Sequence, residues 1–330
     1  MSSPRFLIIR GGAIGDFILT VPVVAAIREK WQNAHIEVLG YPRIATLAIA
    51  PELAHAVRDI SAKGMATFFA DRGELDSGFR DYFGQFQQII SFLYDPDEIF
   101  STNVKRVGRR YLAGIHKPIE PDPPVKPHHA TQQFVKVLES LALYVAEPIP
   151  RLYPQQPERL IAIDFFRGAP PKPLVAVHPG SGGEAKLWPV ENWAALCRWL
   201  SEEKKAQVLI VAGEADQKQL ADLQAKLSPH RPVVANNLKL SQLAAVLEQA
   251  SLYIGHDSGI SHLAAAVGVR SLVLFGPTNP CVWRPLGPNV RILHGAMEWK
   301  AERELPFWQK PMSAIPLASV QRLAEELLAP

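Results

Sequence analysis

The chain has 330 residues, 48% of them hydrophobic, with a formal net charge of +3. That is enough apolar material for two domains, and so small a basic excess argues against a binder built on many phosphate contacts to nucleic acid. Only Cys197 and Cys281 are present, far apart and without metal-ligand spacing, which excludes a disulfide framework and a cysteine zinc site.

Nothing before Phe6 has the layout of a signal peptide, and no apolar run is long enough to cross a bilayer; a reducing, cytoplasmic setting is expected. Phe6 to Ile9 is a compact apolar run of the kind buried on both faces of a parallel sheet. Arg10-Gly11-Gly12-Ala13-Ile14-Gly15-Asp16 follows as a turn. A helix is predicted from near Asp16, with Ile18, Leu19, Val23, Val24 and Ile27 on one face. Strands at 35–40, 57–60 and 88–92 continue the alternation. Residues 95–130 carry a basic cluster and a proline-rich connection and read as loops. Helical periodicity returns over 131–144 through Phe134, Val137, Leu138 and Leu141. The stretch 147–173 is rich in proline, and the domain boundary is expected near 150–172.

A second alternating half opens with a strand at 174–178 and the turn Pro179-Gly180-Ser181-Gly182-Gly183. A helix with Trp193, Leu196, Cys197 and Leu200 on one face follows, then a strand at 208–212 ending in Gly213-Glu214. After a helix to about 227, a strand at 232–235 and a helix from Ser241, residues 252–280 form one strand-turn-helix-strand unit. Its turn is His256-Asp257-Ser258-Gly259. The chain closes with an amphipathic helix marked by Leu317, Val320, Leu323, Ala324, Leu327 and Leu328. The pattern predicts an α/β protein with two Rossmann-like, doubly wound domains, 1–160 and 161–330.

In a parallel sheet, the loop leaving a strand meets the amino end of the next helix, where unpaired N–H groups and the helix dipole favour an anion. Two such turns, 180–183 and 257–259, lie in the second half, and both can offer N–H groups to one diphosphate. Lys186 follows the first and can add its ammonium. A flexible loop with a solvated lysine fits the same residues. Glu214 stands where a carboxylate can accept from ribose hydroxyls, or serve as a helix-start charge. Asp257 can likewise be a plain cap. Asp16 is a helix cap or, facing a ligand, a general base. The turn at 10–16 fails the dinucleotide fingerprint, because Arg10 occupies the first glycine position and Glu37 lies inside its strand. Histidines 128, 129, 178, 256 and 262 lack metal-ligand spacing; His178 and His262 suit structural or phosphate hydrogen bonds. The run Lys105, Arg106, Arg109 and Arg110 is a solvated face, or a patch for an anionic acceptor or a phospholipid surface.

Three segments together, RGGAIGDFILTVP, HPGSGGEAKLWPVENW and GHDSGISHLAAAVGVRSLVLFGPTNP, resemble glycosyltransferase family 9, the ADP-heptose:lipopolysaccharide heptosyltransferases and their relatives. The resemblance spans nearly the whole chain. It implies a GT-B fold, two Rossmann-like domains facing across a cleft, with the acceptor on the first, the nucleotide-sugar on the second, and the final helix (about 316–328) packing back on the first. It implies Asp16 as the catalytic base and Lys186 as the lysine contacting the donor diphosphate. Gly180 and Ser181 fall at small hydroxylated donor-binding positions, with glycine replacing one hydroxyl. Glu214 falls at the ribose acid, Leu240 at a backbone contact to the base, and Asp257, Ser258 and Gly259, with His262, at the phosphates. Gly12, Gly15, Arg106, Arg109 and Arg110 are expected on the acceptor side. The implied reaction is inverting and metal-independent, needs no cofactor, and moves a sugar, heptose from ADP-heptose, onto an anionic lipid-linked or core oligosaccharide. Peripheral contact with the inner face of the membrane is expected, and no nucleic acid. A GT-B nucleotide-sugar epimerase and a non-catalytic nucleotide-sugar-binding protein are the competing readings. Stretch 95–130 does not match the best-known acceptor loops of the family, leaving the acceptor open.

Overall fold

A computed structural model of the chain describes residues 3–121, 125–168, 173–230, 232–300 and 309–329. Parts of two predicted connections, 122–124 and 169–172, lie outside the described residues. The chain divides into two compact units, residues 1–120 with 128–153, and residues 121–127 with 154–330.

The first unit contains β1 (Arg5–Arg10), α1 (Ile14–Lys30), β2 (His35–Gly40), α2 (Pro42–Ala45), β3 (Ala56–Asp59), α3 (Ser77–Gly84), β4 (Gln88–Ser91), α4 (Ile99–Lys105), β5 (Arg110–Ala113) and α5 (Ala130–Val135). Its five strands are all parallel, in the order β3-β2-β1-β4-β5. Leu7, Ile8 and Ile9 are at most 1% exposed, so the central strand has both faces covered and needs a continuous apolar run. Beneath the sheet, Phe68, Phe79, Phe83, Phe86 and Phe100 pack into one aromatic-rich core.

In the second unit are α6 (Gln156–Phe165), β6 (Leu174–His178), α7 (Val190–Glu202), β7 (Gln207–Ala212), α8 (Gln217–Leu227), β8 (Val233–Asn236), α9 (Leu240–Glu248), β9 (Leu252–His256), α10 (Gly259–Ala266), β10 (Ser271–Phe275), α11 (Pro280–Trp283), β11 (Val290–His294), β12 (Met297–Trp299) and α12 (Leu317–Leu328). The strand order is β12-β11-β10-β9-β6-β7-β8. Every pair is parallel except β11 with β12, a short antiparallel pair at one edge.

Both sheets reverse direction of growth beside their first strand. In the first unit the chain builds outward from β1 through β2 and β3, then returns to add β4 on the other side. In the second it does the same from β6, with β9 on the return. Such switch points leave a crevice at the strands' carboxyl ends, where open α/β sheets bind ligands. The switch points put the turns after β1 and β4 side by side in one unit, and those after β6 and β9 side by side in the other.

The structure departs from the sequence reading in several places. β5 and α4 lie in the stretch read as loops. The helix expected over 131–144 stops at Val135 and continues as a 3-10 segment, Lys136–Leu141, ending at Ala142 with φ +54. The final helix, expected to pack on the first unit, buries its apolar stripe in the second: Val320, Leu323 and Ala324 share a core with Trp188, Trp193 and Leu196. Full burial of each such valine or leucine is worth roughly 1.5–3 kcal/mol, so the stripe is committed there.

Candidate functional site

At the second switch point, the turn after β6 lies against the turn after β9. Lys186 Nζ is 2.6 Å from Asp257 Oδ2, and Thr278 Oγ1, from the turn after β10, donates to the same oxygen at 2.7 Å. Ser181 Oγ donates to the Asp257 carbonyl at 3.3 Å. Asp257 is largely buried and Lys186 about a third exposed, with side-chain exposures of 9% and 30%, so the ammonium has donor capacity left for a ligand arriving from solvent. Ser258 stands at the N-cap of α10 in extended conformation, and Gly259 begins the helix, whose first N–H groups lack intrahelical partners. His262 is buried one turn later.

Beneath the turns is a polar layer that fixes them. His178 ends β6, and its Nε2–H donates to Asp216 Oδ2 at 3.2 Å, while its Nδ1 faces the Ser258 hydroxyl at 3.4 Å. The Gly213 N–H donates to the same Asp216 oxygen at 2.9 Å. Burial raises the Asp216 carboxyl, but His178 and the Gly213 N–H together outweigh it and hold the group below the usual carboxylate range. A side chain at Gly180 would place its Cβ 1.9 Å from Asp216 Oδ1. The hydroxyl expected at position 180 is therefore absent for a steric reason: the Asp216 carboxylate occupies its space. Glu214 opens the short turn after β7 and is exposed, and Leu240 opens α9 with its side chain buried.

His256, the last residue of β9, is fully buried. The Trp188 N–H donates to its Nε2 at 3.0 Å, so its Nδ1 carries the proton and faces the Gly180 carbonyl at 3.0 Å. Trp188 is held from the other side as well, its indole Nε1 donating to the Ile315 carbonyl at 3.0 Å. Burial pushes the His256 imidazole down to about 4. The folded state thus keeps it neutral at pH values where an unfolded histidine, near 6.5, takes a proton. The sign follows: this group's contribution is complete above about pH 6.5 and is lost as pH falls toward 4, by up to about 1.4 kcal/mol per pH unit. The urea midpoint should therefore drop between pH 7 and pH 5, and the drop should be shallower in His256→Gln; equal slopes in the two proteins would remove His256 as its cause.

In the first unit, the turn after β1 carries Asp16 in the first turn of α1. Gly12 has φ +98, a region that favours glycine, and this backbone lets the Asp16 carboxylate reach back to the Ala13 N–H at 3.4 Å. Gly15 lies in the same first turn of α1. Arg10, 4% exposed, ties three segments together. Its Nη1 donates to the carbonyls of Phe92 (3.2 Å) and His116 (2.8 Å), and its Nη2 is 3.7 Å from Asp16 Oδ1. The guanidinium also sits 4.8 Å from the Phe134 ring centroid. Burial lowers the Arg10 guanidinium, and the nearby Asp16 carboxylate offsets part of that.

The structure does not bring the basic run to Asp16. Arg110 pairs in register with Gln88, and Gln88 with Phe6, so Arg110 lies at the amino ends of the strands while Asp16 follows a carboxyl end. Arg109 directly precedes it. Arg106 lies just past α4 and donates to the Gly73 carbonyl and to Asn103, while Lys105 stands 5.8 Å from the Tyr111 ring. Four residues with a structural part in these sites went unassigned from sequence: Arg10, Asp216, His256 and Thr278. Asp216 alone left a signal, a second acid two residues after Glu214. Among the described residues, no group of three His, Cys, Asp or Glu side chains is placed to hold a metal ion, and no helix is long and apolar enough to cross a membrane.

Comparison with known proteins gives a consistent result. Residues 109–308 match the family model described as glycosyltransferase family 9 (heptosyltransferase). The chain is 25% identical over 341 residues to lipopolysaccharide heptosyltransferase 3 of Escherichia coli, covering 95% of each chain. Among solved structures, a family 9 glycosyl transferase from Veillonella parvula superposes with a TM-score of 0.76 at 20% identity, covering 99% of this chain and 98% of that one. Escherichia coli ADP-heptose lps heptosyltransferase II gives 0.73 at 16% identity, covering 98% of both. These neighbours share the GT-B fold, with which the two doubly wound units agree.

Proposed function

Since the chain belongs to glycosyltransferase family 9, the heptosyltransferase family, and is a glycosyltransferase, we propose that it transfers heptose from ADP-heptose to a lipopolysaccharide core acceptor by a single inverting displacement. The donor diphosphate binds at the switch point of the second unit, against Lys186, Ser181 and the start of α10. The acceptor binds the first unit, where Asp16 takes the proton of its attacking hydroxyl. As that oxygen bonds to the anomeric carbon, the bond to the diphosphate breaks and the electron pair leaves with the nucleotide. Lys186 and the α10 N–H groups meet the charge that develops there, the kind of preorganised stabilisation that usually contributes most. Glu214 and the backbone at Leu240 hold the ribose and base.

The observation that carries this reading is the cluster of Lys186, Asp257, Thr278 and Ser181, four polar side chains from three turns converging at a switch point. Full-length likeness to a protein named lipopolysaccharide heptosyltransferase 3 supports the sugar and the acceptor, and the name of the second structural neighbour supports the donor. A thermal-shift screen of ADP-, UDP-, GDP- and dTDP-sugars, followed by incubation with a deacylated core oligosaccharide, tests it. ADP-heptose should raise the melting temperature, since a ligand that binds only the folded state stabilises it by mass action, and heptose should appear on the oligosaccharide. Stabilisation only by another nucleotide would replace the donor. Isomerised sugar formed without acceptor would replace transfer with epimerisation.

A further inference from the structure

The crevice at the first unit's switch point has two walls. One is the turn after β1, which carries Asp16; the other is the turn after β4, residues 92–95. Tyr94 lies on the second wall and is 68% exposed. A single exposed tyrosine on a protein surface signifies little, but this one is held in place. Its ring stands 4.6 Å from that of His116, tilted by 56°. The backbone on either side is fixed by Arg10, whose Nη1 binds the carbonyls of Phe92 and His116. The guanidinium that faces Asp16 therefore also sets the two segments that carry this ring pair. Across Gly11, a second exposed ring, Tyr41, stands 3.8 Å from where a Gly11 side chain would begin, and Leu93 stands 3.6 Å from the same point. An added side chain at Gly11 would fill the gap between them.

We propose that Tyr94, braced by His116, is the platform on which a sugar ring of the acceptor stacks beside Asp16. A pyranose presents one face made largely of C–H groups and a rim of hydroxyls. An aromatic face buries the first without desolvating the second, and a tyrosine is ordered at small entropic cost. The ligand class is thus a neutral saccharide ring, bound by its apolar face, with any acidic groups of the acceptor held elsewhere. This rests on the reading of Asp16 as the acceptor-side base, and the experiment separates the two.

Tyr94→Ala, Tyr94→Phe and Asp16→Asn are compared with the parent protein, using ADP-heptose as donor and a deacylated lipopolysaccharide core oligosaccharide as acceptor. Tyr94→Ala should raise the acceptor KM by about tenfold while kcat and ADP affinity change little, and Tyr94→Phe, which keeps the face and loses the hydroxyl, should behave as the parent. An unchanged acceptor KM in Tyr94→Ala overturns the platform, as does a Tyr94→Phe protein as impaired as Tyr94→Ala. If Asp16→Asn turns over normally, the base assignment has failed, and oligosaccharide binding measured by saturation-transfer NMR then decides Tyr94 alone. An oligosaccharide saturation-transfer signal lost in Tyr94→Ala and kept in Tyr94→Phe supports it; equal signals in the parent and both Tyr94 variants overturn it. Because Tyr94 is mostly exposed, its replacement leaves the core intact.

Discussion

Replacing Asp16 by asparagine should lower kcat by about 10²–10⁴-fold, the range that a positioned general base contributes, and leave ADP affinity unchanged. Asparagine keeps the shape of the side chain and an oxygen that can still accept from the Ala13 N–H, so the first turn of α1 survives. What it loses is the negative charge and the basicity that the proposed proton transfer needs. Arg10 would keep its hydrogen bonds to Phe92 and His116, and the crevice would keep its walls. The measurement is single-turnover transfer at saturating donor and acceptor, beside an ADP titration and a melting curve. Turnover within a few-fold of the parent would remove Asp16 from the reaction, and a large fall in melting temperature would show that the loss is structural.

The second large effect is expected at Lys186. Its replacement by alanine should cost about 10²–10³ in kcat/KM for the donor, as removal of one preorganised charge from a developing oxyanion does. The geometry adds a further penalty. Asp257 is largely buried and takes its hydrogen bonds from Lys186 and Thr278. Without the ammonium, a carboxylate stands uncompensated at the proposed diphosphate position, and like charges repel. Lys186→Ala combined with Asp257→Asn should therefore recover part of the ADP affinity lost in Lys186→Ala alone. Calorimetric titration of ADP into both proteins checks this. Equal affinity in Lys186→Ala and the parent would show that the lysine serves only to hold Asp257.

Most of the sheet framework was legible because strands buried on both faces must be written as unbroken apolar runs: the runs at 6–9 and 174–178 stand where expected. The strand that was missed, β5, is an edge strand with exposed and half-buried positions, Arg110 to Ala113, and so lacks that signature. The short pair β11 and β12 gave no signal either. After Val135, Leu138 and Leu141 are three apart, a spacing that serves a 3-10 segment as well as an α-helix.

The site was legible only as turns. That Ser181, Lys186 and Asp257 sit near a switch point follows from the alternation of strands and helices; that Lys186 meets Asp257, or His178 meets Asp216, depends on strand order β9-β6-β7, which no local pattern encodes. The arginine run misled for a related reason. With β5 unseen, nothing in the sequence told which end of the sheet Arg106, Arg109 and Arg110 would occupy. Gly180 was read as a missing hydroxyl, and only the position of Asp216 explains it.

The indole of Trp188 is hydrogen-bonded to the Ile315 carbonyl, and its backbone N–H holds His256 under Gly180. The segment bearing Lys186 is thus moored to the tail of the chain, whose last helix is anchored by Val320, Leu323 and Ala324. Trimming residues from the carboxyl terminus would slacken the turn that carries Lys186, although none of the residues removed belongs to that turn.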